Sequence, residues 1–261
     1  MDNQPNYDYR GLVAQTWDLH RADAESWSDG VLYRELVERY GQPALDLGCA
    51  TGRILLPFLE RGLDTDGVDN SPELLEICRQ KAVARGLSPN LYEQDMTALD
   101  LPRCYKTIVG SSSVFQLVTD EALARQTLKR IFDHLEPGGI FIASLAFEWR
   151  EGDPLESDWH PHFTVTRPGD GATIRSFTRE WHEPEKRLWH AEQRFEVELG
   201  GSVVATERHV RSPEGRSYTQ AQAVALFAEV GFAEIRTLHE FTHAAALPED
   251  RLFCVLGAKP C

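Results

Sequence analysis

At 261 residues the chain is long enough for one large domain, or one domain with a sizeable insertion, to bury its own core. Its 27 Lys and Arg against 41 Asp and Glu give a formal net charge of -14, which disfavours a nucleic-acid backbone or an anionic membrane surface as partner. No apolar run approaches the ~20 residues that cross a bilayer, and Met1-Asp2-Asn3-Gln4-Pro5 has neither a basic region nor an apolar segment, so the expected location is cytoplasmic. Cys49, Cys78, Cys104, Cys254 and Cys261 are scattered and odd in number, which argues against a disulfide framework or a zinc site.

Residues 1–41 carry Tyr7, Tyr9, Trp17, Trp27 and Tyr33 among many acids. The spacings Leu12-Val13-Thr16-Trp17 and Val31-Leu32-Glu35-Leu36 predict two helices, the second starting at Ser28 or Asp29. Next, Pro43-Ala44-Leu45-Asp46-Leu47 is a short apolar run suited to a buried strand. It breaks at Gly48, and residues 54–61 resume with helical spacing. A strand, a turn of small residues and a helix bring backbone amides towards a nucleotide-like ligand. Counted from Gly48, the dinucleotide fingerprint fails at Ala50 and Arg53, and a P-loop fails because Arg53 and Ile54 follow Gly52.

What fits is Asp46-x-Gly48-x-Ala50-x-Gly52. The chain thereby resembles the class I S-adenosylmethionine-dependent methyltransferases, whose first motif reads acidic-x-Gly-x-Gly-x-Gly; Ala50 replaces the middle glycine. The resemblance implies a Rossmann-like cofactor fold binding S-adenosylmethionine and releasing S-adenosylhomocysteine. Asp46, Gly48, Cys49, Ala50, Gly52 and Arg53 would form the cofactor turn, with Cys49 there because it is small. The N-terminal segment would close over the cofactor through Tyr9 and Trp17, or else those rings pack the helices on the sheet.

A second strand at 64–69 ends in Asp69, about where a Rossmann-like unit places an acid for ribose hydroxyls; Asn70 stands beside it. Asp69 could also cap the helix expected over 72–85, which Gly86 stops. A third strand near 90–94 leads to Asp95-Met96, and the resemblance assigns these to the adenine amino group and ring. The fourth strand, 106–110, runs into Ser111-Ser112-Ser113-Val114-Phe115-Gln116, which should border both the cofactor, through Ser111 and Ser112, and the acceptor, through Phe115 and Gln116. No Asn/Asp-Pro-Pro-aromatic signature appears there, which argues against base methylation. Ser111 and Leu145-Ala146 stand where metal-dependent relatives carry acids, so no metal is expected.

A helix over 119–135 closes on Leu135-Glu136-Pro137-Gly138-Gly139, a further landmark of the family, before a fifth buried strand at 140–145. From 150 to 217 helical periodicity disappears. Alternating runs separated by Pro168-Gly169-Asp170-Gly171, Glu183-Pro184-Glu185-Lys186 and Gly200-Gly201 predict a meander of three or four antiparallel strands. This insertion is read as a substrate cap, with a decorative or dimerising sheet as the alternative. A helix over 218–230 and strands at 233–241 and 251–258 complete the pattern. The expected fold is therefore α/β, a Rossmann-like seven-stranded methyltransferase fold with a mostly parallel sheet and an antiparallel C-terminal hairpin. Its parts are a helical lid (1–41), the cofactor-binding core (42–149 and 218–261) and an inserted antiparallel β cap (150–217).

Methyl transfer from a sulfonium needs in-line placement, worth up to about 7–11 kcal/mol in ideal cases, and a base only if the acceptor must lose a proton. No catalytic residue is assigned. His160, His162, His182, His190, His209 and Glu148 are candidate bases, and Phe115, Gln116 and Trp149 are expected against the acceptor. The expected function is methyl transfer to a small-molecule acceptor, without nucleic acid or membrane as partner and with a homodimer left open. The alternatives are a methyltransferase acting on RNA or protein, for which no basic run is present, and a non-catalytic module that binds the cofactor.

Overall fold

The computed structural model describes residues 9–21, 27–146 and 149–261. Two N-terminal helices, α1 (Gly11–Thr16) and α2 (Ser28–Tyr40), precede the expected alternation: β1 (Ala44–Leu47), α3 (Leu55–Glu60), β2 (Thr65–Asp69), α4 (Pro72–Ala84), β3 (Leu91–Glu93), β4 (Tyr105–Gly110), α5 (Glu121–Asp133) and β5 (Leu135–Ala146). The insertion forms β6 (His160–Thr166), β7 (Thr173–Glu183), β8 (Leu188–Leu199) and β9 (Ser202–Arg216), and α6 (Gln220–Val230), β10 (Ala233–His239) and β11 (Leu252–Ala258) close the chain. Among the described residues no helix is long and apolar enough to cross a membrane.

Seven strands form one sheet in the order β10-β11-β5-β4-β1-β2-β3. The strands β1 to β5 pair in parallel, and β11 runs antiparallel to both β5 and β10. Successive side chains leave a strand on opposite faces, so the apolar runs supply two cores. Phe141 and Ala143 join Leu128 and Ile131 of α5 and Phe227 of α6 on one face. Ile140 and Ile142 join Leu36 and Val37 of α2 and Phe58 of α3 on the other. Phe141 stacks on Phe227 with ring centroids 5.6 Å apart.

Local chemistry sets the element ends. The Ser71 hydroxyl accepts from Leu74 N at the start of α4, so Ser71 rather than Asp69 caps that helix. The Asp120 carboxylate caps α5, which therefore starts two residues later than the sequence suggests. Thr219 and Gln222 form a reciprocal capping box on α6. Strand β5 begins at Leu135, earlier than expected, because Leu135 pairs with Tyr105 ahead of a register shift. The Gly139 in that shift admits no side chain: a Cβ would lie 2.9 Å from the carbonyl oxygens of Glu136 and Tyr105.

The insertion is a separate four-stranded antiparallel sheet, β6-β7-β8-β9, and its turns fall at the expected Pro/Gly clusters. One face buries Ile174, Phe195 and Val197 against Leu12 and Val13 of α1. Helix α1 is thus shared: Gly11 N donates to Glu73 of α4 at 2.8 Å, and Leu12 N donates to the Glu207 carboxylate of β9 at 3.1 Å. At the other end of the sheet a polar knot joins it to the core. The Gln116 amide donates to the carbonyls of Ala146 and Arg216, both at 2.8 Å, and its oxygen accepts from Ala146 N at 2.6 Å. The Arg216 guanidinium in turn donates to the Thr119 carbonyl at 2.6 Å and to Glu121 at 2.8 Å.

Gln116 is fully buried, so replacing it with leucine strips a hydrogen bond from the Ala146 amide and from the carbonyls of Ala146 and Arg216. Each orphaned buried group costs about 1–3 kcal/mol. Gln116→Leu is expected to lose at least about 2 kcal/mol of stability in urea unfolding; a loss below about 0.5 kcal/mol would show that the knot is dispensable.

Candidate functional site

The site is built on the turn after β1. Gly48 has φ +73°, and a Cβ there would lie 2.4 Å from Val114 Cγ2, so only glycine fits. Ala50 also takes a left-handed backbone, φ +46°, which an alanine bears at a cost of about 1–2 kcal/mol. Its amide donates to Asp69 Oδ2 at 2.9 Å, which holds the turn in that shape. Gly52 lies against the helices: a Cβ would sit 2.7 Å from Cys78 Sγ and from Leu56 Cγ. The Cys49 side chain is buried with Leu55, Leu75 and Cys78.

Two cavities flank this turn. The larger, about 370 Å³, is lined by Gly48, Ala50, Asp69, Asn70, Asp95 and Met96 from the core, Tyr9 and Trp17 from the N-terminal segment, Ser111 and Ser112 after β4, and Arg211, Pro213 and Glu214 from β9. The smaller, about 280 Å³, is lined by Asp46, Cys49, Arg53, Arg21 and Lys81 among others. Trp17, Gly48, Ala50, Ser111 and Ser112 border both. Of the fourteen residues expected around the cofactor, only Gly52 borders neither cavity.

The acceptor residues fall differently. Ser112 and Ser113 are consecutive left-handed residues, φ +51° and +59°, and they turn the chain into a 3₁₀ turn over Val114–Leu117 that runs back into the core. Phe115 is therefore buried, edge-on to Phe141 at 6.4 Å, and Gln116 is consumed by the knot described above. Val114 and Leu117 line the larger cavity in their place. Trp149 borders neither cavity; its indole N–H donates to the Asp153 carbonyl at 2.9 Å. Sequence spacing gives no sign of Arg211 and Glu214, although the proline between them marks an irregular edge strand.

None of the five candidate histidines lines either of these two cavities. His190 stacks on Trp181 and bonds Ser212 Oγ at 2.9 Å, and His209 bonds Glu207 at 2.5 Å. Burial lowers the pKa of both His162 and His182. Glu148 lies outside the described residues.

The buried charges are arranged with care. Arg53 is bidentate to Asp29 of α2, at 2.8 and 2.6 Å, and also donates to Ser112 Oγ at 3.2 Å. One guanidinium thereby joins the N-terminal helix, the turn and the segment after β4. Asp69 accepts from Ala50 N through Oδ2 and from Ser71 N through Oδ1, each at 2.9 Å. Asp95 accepts from Thr97 N and Oγ1 through Oδ1 alone. Asp46 accepts from Leu55 N through Oδ2 at 3.2 Å, whereas its buried Oδ1 has no partner. Burial pushes its pKa up from 3.8 to about 7, and Arg53 and the Leu55 amide oppose the rise. A buried carboxylate oxygen left without a donor suits a ligand that brings one, such as an ammonium.

Residues 44–139 match the protein family described as Methyltransferase domain. A protein of Geobacillus sp. (strain WCH70) named as a methyltransferase is 26% identical over 128 residues, 48% of this chain and 51% of that one. A carboxy-S-adenosyl-L-methionine synthase of Campylobacter lari is 32% identical over 101 residues, 38% of this chain and 42% of that one. The chain thus spans about half the length of the curated relatives it matches. The crystal structure of the sugar N-methyltransferase KedS8 from Streptoalloteichus sp. superposes with a TM-score of 0.73 at 20% identity, covering 100% of this chain and 99% of that one, which shows the shared fold.

The raised pKa of Asp46 has a defined sign. The folded protein holds the Asp46 proton to higher pH than the unfolded chain does, so ionisation costs stability as pH rises from 3.8 to about 7. Over that window, urea unfolding without ligand should show wild type losing on the order of 4 kcal/mol relative to Asp46→Asn. Parallel curves for the two proteins would refute the assignment.

Proposed function

We propose that the chain is a class I S-adenosylmethionine-dependent methyltransferase and that it methylates the nitrogen of a small-molecule amine. The observation that carries this reading is the charge of the larger cavity. Asp69, Asp95, Asp120 and Glu214 line it, and Arg211 is the cation set against them. A partly enclosed cavity with that balance attracts cations and repels carboxylate or phosphate acceptors. An amine suits it at every stage, because the nitrogen carries positive charge once the new bond has formed. KedS8, a sugar N-methyltransferase that shares this fold, supports an amine as well.

The residues present fit the cofactor. The orphaned Asp46 Oδ1 would accept from the cofactor's ammonium, and the Gly48 backbone would leave room for its close approach. Asp69 and Asn70 would hold the ribose hydroxyls, Asp95 the adenine amino group and Met96 the ring, with Tyr9 and Trp17 as cover. Bound S-adenosylmethionine supplies an electrophilic methyl carbon on a sulfonium whose leaving group is neutral. The chain's own task is therefore placement and exclusion of water. Tyr9 packs edge-to-face on Trp17, ring centroids 5.1 Å apart, and the pair closes one side of the cavity. Arg211 pairs with Glu214 at 3.0 Å and fixes a carboxylate that can hold an amine before and after transfer. Orientation alone is worth up to about 7–11 kcal/mol in ideal cases, so the absence of histidine from the cavity lining is no obstacle.

Calorimetric titration with S-adenosylhomocysteine, with NAD as control, is expected to give micromolar binding that weakens about a hundredfold in Asp69→Asn, which loses charge-assisted hydrogen bonds. Incubation with S-adenosylmethionine and matched panels of amines, alcohols, thiols and carboxylic acids should yield N-methyl products by mass spectrometry. Binding without transfer to any acceptor would favour a non-catalytic cofactor-binding module, and transfer only to oxygen or sulfur would overturn the amine reading.

A further inference from the structure

The two rings that close one side of the larger cavity stand in a row between two guanidinium groups. Arg21 Cζ lies 3.8 Å over the Trp17 ring, Trp17 meets Tyr9 edge-on at 5.1 Å, and Arg211 Cζ lies 5.6 Å from the centre of the Tyr9 ring. Three of the four residues belong to the segment 9–21. The fourth, Arg211, comes from the insertion, where β9 presents it and Glu214 holds its Nη2 at 3.0 Å. The Arg211 side chain is 14% exposed, so little water weakens its attraction for the ring.

The segment depends on such contacts. Helix α1 has six residues, too few to be stable alone in water, and its first amides are held by Glu73 of α4 and Glu207 of β9. Tyr9 precedes α1, and its carbonyl accepts from the Ser71 hydroxyl at 2.6 Å. That bond fixes the Tyr9 backbone and leaves the ring to be placed by Trp17 and Arg211. We propose that Arg211 is a positioning residue for the cofactor: it acts through Tyr9, steadying the ring against the cavity, so that the insertion sets how tightly the N-terminal segment covers the bound molecule. This rests on S-adenosylmethionine as the ligand. The guanidinium that orients Glu214 on the β9 wall thereby also secures the cover.

The test is a double-mutant cycle read by calorimetric titration with S-adenosylhomocysteine on wild type, Arg211→Gln, Tyr9→Leu and the two combined, with thermal melting to verify that each is folded. Arg211→Gln is expected to weaken binding about three- to thirtyfold, the range of a cation–π contact from exposed to desolvated sites. Tyr9→Leu should weaken it too, and adding Arg211→Gln to Tyr9→Leu should change nothing further, because the ring through which Arg211 acts is gone. Arg211→Lys, which keeps a cation, should recover part of the loss, and Tyr9→Phe, which keeps the ring, should retain the dependence on Arg211. Hydrogen exchange gives a readout that a general loss of stability would not: in the complex, residues 9–21 should exchange faster in Arg211→Gln while β1 and β4 keep their rates. Equal weakening by Arg211→Gln with and without the Tyr9 ring would place Arg211 on the ligand itself and overturn the proposal. No weakening in the wild-type background, or faster exchange throughout the chain, would overturn it as well. If wild type itself failed to bind S-adenosylhomocysteine, the cofactor reading would fall, and this inference with it.

Discussion

The site depends on one carboxylate doing three things at once. Asp69 closes β2, accepts the amide of Ala50 in a conformation that residue would not otherwise keep, and accepts the amide of Ser71 where α4 begins. Ser71 in turn donates its hydroxyl to the carbonyl of Tyr9 at 2.6 Å, so the chain of bonds reaches the segment that covers the cavity. Burial raises the Asp69 pKa and the amides lower it; the net shift is upward. A carboxylate so placed gains from any further donor, which is the position in which ribose hydroxyls would find it.

Helix α1 acts as mortar between α4 and the inserted sheet. Helix α1 is only six residues long, too short to be stable alone, and it is held by what surrounds it. Its first amides reach Glu73 on one side and Glu207 on the other, and its apolar side chains fill the inner face of the insertion. Helix α2, by contrast, is part of the core through Leu32, Leu36 and Val37, and Asp29 near its start fixes Arg53 from that base.

What the sequence shows and what it hides divide along physical lines. Strand, small-residue turn and helix are local patterns, so the turn at Gly48, the end of β2 at Asp69, the helices and the antiparallel insertion were legible in the sequence, whereas the cap of α4 was read at Asp69 and lies at Ser71. Phe115 and Gln116 were misplaced because proximity to a strand's carboxyl end says nothing about direction; two left-handed serines send the chain inward at that point. Arg53 was legible as a residue of the turn but not as the partner of Asp29, and Arg211 with Glu214 was invisible, because these pairings cross long stretches of chain. Periodicity reports burial of a face; it does not report which charge meets which.

The four-stranded sheet touches the larger cavity through the short stretch 211–214 of β9, and it also packs on α1 and is tied to the core by the knot at Gln116 and Arg216. The core and N-terminal residues of the larger cavity and the residues of β9 that border it lie on separate stretches of chain, and Arg211 meets Tyr9 across it, Cζ 5.6 Å from the ring centroid. Arg211 and Glu214 pair with each other at 3.0 Å, so side chains exchanged there alter the β9 wall of the cavity. Such an arrangement is modular: new substrates can be tried on an old cofactor site by rewriting one strand, which is how a single scaffold can diversify its chemistry without being refolded each time.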